Sequence, residues 1–99
     1  MSVMMTLRVT GDGNKLEATA DRDLIKSVAD KAQKFGVLYH RFYASDTEIL
    51  VVDEWPDEAS FQSFFEASPE IRDIMAAAGV TTHPEVTFWR NMDLGDNVG

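Results

Sequence analysis

Apolar residues along this chain fall into two periodicities, and these divide it into elements. From Val3 to Thr10, apolar and polar residues alternate from Met5 onward among strand formers, which predicts a first strand ended by Gly11-Asp12-Gly13-Asn14. From Asp21 to Phe35 the spacing changes to helical, with Leu24, Ile25, Val28, Ala29, Ala32 and Phe35 on one stripe. Asp21 suits the N-cap of this helix and Gly36 its stop. Lys15 to Ala20 reads either as an irregular connection or as an early helical turn opened by Asn14 and Glu17 in a capping-box relation.

Val37 to Ala44 and Glu48 to Trp55 read as two strands around Asp46-Thr47, although Thr47 is a poor residue for a tight primed turn. With those two as the loop, Ser45 faces Glu48, Tyr43 faces Leu50 and His40 faces Asp53. A slip of one residue would undo the pairing. Pro56, Asp57 and Glu58 suit the first turn of a second helix carrying Phe61, Phe64 and Phe65. Ser68-Pro69-Glu70 repeats the start signal, with Ser68 as N-cap of a short helix carrying Ile71, Ile74, Met75 and Ala78 up to Gly79. Val86 to Met92 is the last strand. The order predicts an α+β, ferredoxin-like βαββαβ domain over residues 1–93, a four-stranded antiparallel sheet with helices on one face, and a flexible tail over 94–99.

The strands are apolar or aromatic on both faces. Leu50 and Val52 alternate with Ile49 and Val51, and Tyr39 and Tyr43 with Leu38 and Phe42. Two helices cover one face only, so a homodimer with sheets face to face is expected; the alternative is a monomer with an exposed apolar face. His40, Asp53, Leu38, Phe42, Val51 and Trp55 share one face, placed under the helices because the other carries Tyr39, Arg41, Tyr43 and Glu54. Alternation alone leaves the inverse assignment open.

Composition narrows the function classes. The 99 residues, 44% hydrophobic, suffice for one core. Nine basic against seventeen acidic side chains give a net charge of −8, which disfavours nucleic acid and anionic membrane surfaces as partners. Cysteine is absent, so no disulfide, thiolate site or cysteine nucleophile exists, in keeping with a reducing compartment. With no secretory signal and no apolar run of spanning length, a soluble, cytoplasmic protein is expected. P-loop, dinucleotide and nucleophile-elbow motifs are missing, as are calcium-loop and transition-metal spacings.

The remaining chemistry is sparse. His40 facing Asp53 is the candidate catalytic dyad, since a carboxylate can orient an imidazole for general base work; equally, the pair can be a structural histidine with its counter-charge. Trp55, Phe42, Phe61, Phe64 and Phe65 are the candidate wall of a site for a small aromatic molecule, or simply core. Trp89 and Asn91 share a strand face and could add an aromatic wall and an amide, or fill a dimer seam. Arg8 and Arg41 could pair with Glu54 or hold an anionic substrate. His83, in a loop before Pro84, is assigned no chemistry.

Asp53-x-Trp55-x-Asp57-Glu58-Ala59-x-Phe61, followed by Ala67-Ser68-Pro69, resembles the strand-to-helix signature of the antibiotic biosynthesis monooxygenase-like group of dimeric α+β barrels. The resemblance implies face-to-face dimers with small-molecule pockets between sheet and helices. It also implies activities that include cofactor-independent oxygenation of polycyclic phenols, haem degradation and isomerisation, alongside members without an assigned role. Where that group often has a histidine shortly before Ser-Pro, this chain has Phe65. At the positions nearest those haem-degrading members use, it has Thr6 or Arg8, Phe64, and Ile74 or Met75, so the haem ligand is missing. Two expectations follow: a cofactor-independent monooxygenase acting on a phenolic substrate with His40 as base, or a non-catalytic homodimeric module holding a ligand.

Overall fold

The computed structural model describes residues 1–80 and 82–99. Its elements follow as β1 (Val3–Thr10), α1 (Gly13–Thr19), α2 (Arg22–Lys34), β2 (Tyr39–Ala44), β3 (Glu48–Trp55), α3 (Glu58–Glu66), α4 (Glu70–Ala77) and β4 (Glu85–Trp89). The four strands form one antiparallel sheet in the order β2-β3-β1-β4. This is the expected ferredoxin-like arrangement, with each half's helical segment split in two. Among the described residues, no helix is long and apolar enough to cross a membrane.

β1 and β3 occupy their expected spans because each alternates cleanly across the sheet's centre. Met5, Leu7 and Val9 of β1 and Ile49, Val51 and Trp55 of β3 are all buried. α2 is capped as its sequence predicts: the Asp21 carboxylate accepts from Leu24 N at 3.1 Å. Gly36 follows the helix at φ 103°, a left-handed conformation that favours glycine.

The boundaries that differ have local causes. Val37 donates to Ala32 O at 3.0 Å, closing the end of α2, and β2 begins only at Tyr39. β4 ends at Trp89, opposite Met4, and could not reach the expected Met92 on this register, since Asn91 would lie opposite Ser2, before β1 begins. The ambiguous segment after β1 is the helix α1. Its cap is Asp12, which accepts from Lys15 N at 3.1 Å, in place of the anticipated Asn14. Ser68 is not the cap of α4. Pro69 occupies that position without a side-chain hydrogen bond, while Ser68 Oγ is buried with no partner among the described residues.

All four helices lie on the face that carries His40, Asp53 and Trp55, so the face assignment made from polarity holds. α4 packs against α1 and α2, and α3 against β3. Lys31 of α2 ties these together by donating to Ala67 O at 2.9 Å and to Glu70 Oε2 at 2.7 Å. Gly13 sits so close to the β2–β3 hairpin that a Cβ there would come within 2.5 Å of Ala44 Cβ.

Candidate functional site

The β2–β3 hairpin sets the geometry of the site. Ser45 N donates to Glu48 O at 2.9 Å, and Ser45 Oγ accepts from Thr47 N at 3.3 Å and Glu48 N at 3.0 Å. This side chain closes the loop that Thr47 alone would hold poorly. With the turn fixed, Tyr43 falls opposite Leu50 and His40 opposite Asp53, as the two-residue loop requires.

On this register His40 Nδ1 lies 2.7 Å from Asp53 Oδ1. Two residues along the same face, Trp55 Nε1 donates to Asp53 Oδ2 at 3.1 Å. Asp53 is 4% exposed and Trp55 wholly buried. A carboxylate that deep is kept charged at low cost only when its oxygens are hydrogen-bonded, and here each has a donor. Because Asp53 accepts, the neutral imidazole carries its proton on Nδ1 and leaves Nε2 as a bare acceptor, an assignment that follows from the network. Among the described residues Nε2 has no protein hydrogen-bond partner. The His40 side chain is 33% exposed. The arrangement is thus an imidazole held from behind by a buried carboxylate, itself held by an indole.

His40 and Asp53 line a partly open cavity of about 80 Å³ between the sheet and the helices. Its floor is Met5, Leu7, Val9, Ile49 and Val51, with Val28 and Ala32 of α2 and Ile74 and Met75 of α4 above. Phe61, Phe64 and Phe65 close one side. β2 is the edge of the sheet, and its inward Phe42 remains 41% exposed at the rim, its ring edge-on to His40 at 5.0 Å. No lysine or arginine is among the described lining residues.

Of the residues singled out from the sequence, His40, Asp53, Phe42, Phe61, Phe64 and Phe65 come together around this cavity. Trp55 does not line it. Its ring is packed behind the wall against Phe61 and Phe64, at centroid distances of 5.8 and 5.3 Å, and reaches the site only through Asp53. The spacing Asp53-x-Trp55 carried that signal, since residues two apart on a strand share a face. The α2 and α4 wall was legible only as helical core stripes. Trp89 lies on the opposite sheet face and donates to Thr6 Oγ1 at 2.9 Å, while Asn91 is outside β4. Arg8 pairs with Glu48 and Glu85 at 3.4 and 2.9 Å, and Arg41 stacks over Tyr39 with its guanidinium carbon 4.7 Å from the ring centroid. Both arginines are thus engaged away from the cavity, and neither pairs with Glu54. His83 is exposed. Among the described residues, no group of three or more histidine, aspartate or glutamate side chains could hold a metal ion.

No protein-family model matches this chain, and no curated protein does. Solved structures do match it over nearly their whole length. The cofactor-independent oxygenase SnoaB from Streptomyces nogalater superposes with a TM-score of 0.62 at 17% identity, covering 96% of this chain and 98% of that one. A candidate antibiotic biosynthesis monooxygenase from Deinococcus radiodurans gives 0.65 at 13% identity, covering 98% and 99%. Rv0793 from Mycobacterium tuberculosis gives 0.62 at 17% identity, covering 97% and 100%. At such identities the likeness establishes the fold alone, one shared with proteins described as antibiotic biosynthesis monooxygenases.

Proposed function

We propose that this protein is a small-molecule enzyme in which His40 acts as general base on a phenolic hydroxyl and the resulting anion reacts with molecular oxygen, with no cofactor taking part. The observation that carries this reading is the chain of contacts Trp55 to Asp53 to His40, which leaves Nε2 without a protein partner on a residue that lines an apolar cavity. The fold shared with SnoaB, described as a cofactor-independent oxygenase, supports the same reading.

The chemistry balances with oxygen as oxidant. Nε2 takes the hydroxyl proton, and the electron-rich phenolate passes one electron to oxygen. The two radicals combine at a ring carbon bearing hydrogen, forming a C–O bond. Loss of that ring hydrogen as a proton and cleavage of the O–O bond leave a quinone carbonyl. The departing oxygen leaves as water, with the proton returned by Nε2 as its second hydrogen. One phenol and one oxygen molecule give one quinone and one water. The apolar wall limits the water that reaches the radical pair from the sheet and helix sides.

Oxygen uptake across a panel of phenols tests the proposal. Wild type should sustain uptake, and His40→Ala should reduce it by about 10²–10⁴ while the far-ultraviolet circular dichroism is unchanged. Retention of a ligand without oxygen consumption would instead identify a non-catalytic binding module.

The reading includes a homodimer closed through the outer sheet face. Met4, Tyr39, Leu50 and Val52 are only half covered there, and Tyr43 and Trp89 are 50% and 54% exposed. Each large apolar side chain contributes about 1.5–3 kcal/mol on full burial, which a second copy would provide. Sedimentation at micromolar concentration should give a dimer for wild type and a folded monomer for Leu50→Glu. A monomeric wild type would remove the dimer from the proposal.

A further inference from the structure

Resting on that reading of the His40 site, the geometry points to a narrower ligand class: a single-ring, uncharged phenol with one hydroxyl and otherwise apolar substituents. The cavity's volume, charge and hydrogen-bonding capacity lead to it separately.

The volume of about 80 Å³ is smaller than the roughly 150 Å³ known to accommodate benzene in a protein interior. One ring therefore takes up the whole space and extends into the rim beside half-exposed Phe42. A second fused ring would have either to stand out past the Phe42 rim, where it stays unburied, or to displace Phe61 or Phe64, both buried and packed against Trp55. Among the described residues the lining also carries no cation to receive a carboxylate or phosphate. Its one acidic group, Asp53, would repel such an anion, and the chain's net charge of −8 acts in the same direction. Finally, among the described lining residues Asp53 is 4% exposed and each of its oxygens already accepts a hydrogen bond, so His40 Nε2 is the acceptor left without a protein partner. It can partner one hydroxyl. A second polar group deep in the cavity would be left without a partner.

Isothermal titration under nitrogen separates binding from turnover, and 4-methylphenol, 1-naphthol and 4-hydroxybenzoate are the probes. The expected result is that 4-methylphenol binds at least tenfold more tightly than 1-naphthol and at least a hundredfold more tightly than 4-hydroxybenzoate. Hydrophobicity alone ranks 1-naphthol first, so the order is diagnostic. Tighter binding of 1-naphthol, binding of 4-hydroxybenzoate comparable to that of 4-methylphenol, or failure of 4-methylphenol to bind would each overturn the assignment. Oxygen uptake measured on the same three compounds distinguishes the two proposals. The expected binding order without uptake upholds the ligand class and refutes the oxygenase reading. Uptake supported by 1-naphthol with no binding of 4-methylphenol does the reverse.

Discussion

Replacing Asp53 by asparagine separates the catalytic reading of the dyad from the structural one. The carboxylate accepts two hydrogen bonds, from His40 Nδ1 at 2.7 Å and from Trp55 Nε1 at 3.1 Å. An asparagine side chain has one oxygen and one NH₂ in the same space. If the oxygen faced His40, the NH₂ would confront the indole N–H, leaving that donor unpaired in a wholly buried place at a cost of about 1–3 kcal/mol. The opposite orientation satisfies both partners: the oxygen accepts from Trp55 and the NH₂ donates to Nδ1. That requires the imidazole to move its proton to Nε2. What remains to be lost is the difference between charge-assisted and neutral hydrogen bonds, about 1–2 kcal/mol over the pair, or a fall in Tm of about 4–16 °C for a domain of this size. Asp53→Ala offers neither group an acceptor and should cost at least 1 kcal/mol more. Turnover, by contrast, should fall by about 10²–10⁴ in Asp53→Asn, because Nε2 now carries the proton it must accept. Nitrogen-15 spectra of the imidazole read the tautomer directly, alongside denaturant unfolding and oxygen uptake. An Asp53→Asn protein that keeps Nε2 unprotonated, or keeps full turnover with its tautomer switched, would refute the reasoning.

Three further perturbations test the frame around the site. Gly13→Ala places a Cβ 2.5 Å from Ala44 Cβ and so must push α1 off the hairpin; a loss of about 1–3 kcal/mol is expected in urea unfolding, and an unchanged midpoint would contradict the close approach. Ser68→Ala removes a buried hydroxyl with no partner among the described residues, so stability should hold or rise by up to about 1 kcal/mol; a loss greater than that would mean Oγ is hydrogen-bonded. The Glu70 carboxyl is held below its ordinary value, chiefly by the hydrogen bond from Lys31. Its folded pKa is therefore depressed, so its contribution is present above the unfolded pKa and lost as pH falls through the folded one. Thermal melts should accordingly separate wild type from Glu70→Gln at pH 7 and bring them together in acid; a gap that persists in acid would exclude this ion pair as its source.

What could be read from the sequence, and what could not, follows from how far each feature reaches along the chain. The His40–Asp53 pairing depends only on counting residues from a two-residue loop, and it was legible although the loop contained an unfavourable threonine. The missing stabilisation came from Ser45 Oγ, one residue outside the loop. Helix α2 was legible because its caps and its stripe agree. Ser68 was misassigned because a Ser-Pro-Glu start signal gives no information on burial; the hydroxyl was drawn into the core by the packing of α3 and α4 around it. Trp55 shows the same limit at the site. Its proximity to Asp53 follows from the strand period, but whether it faces a cavity or stands behind one depends on Phe61 and Phe64 arriving from α3 to cover it. Periodicity names the residues that share a face; only three-dimensional packing decides which touch empty space. The proposed function turns on that second question, because it rests on His40, whose Nδ1 is held by Asp53, lining about 80 Å³ of apolar volume.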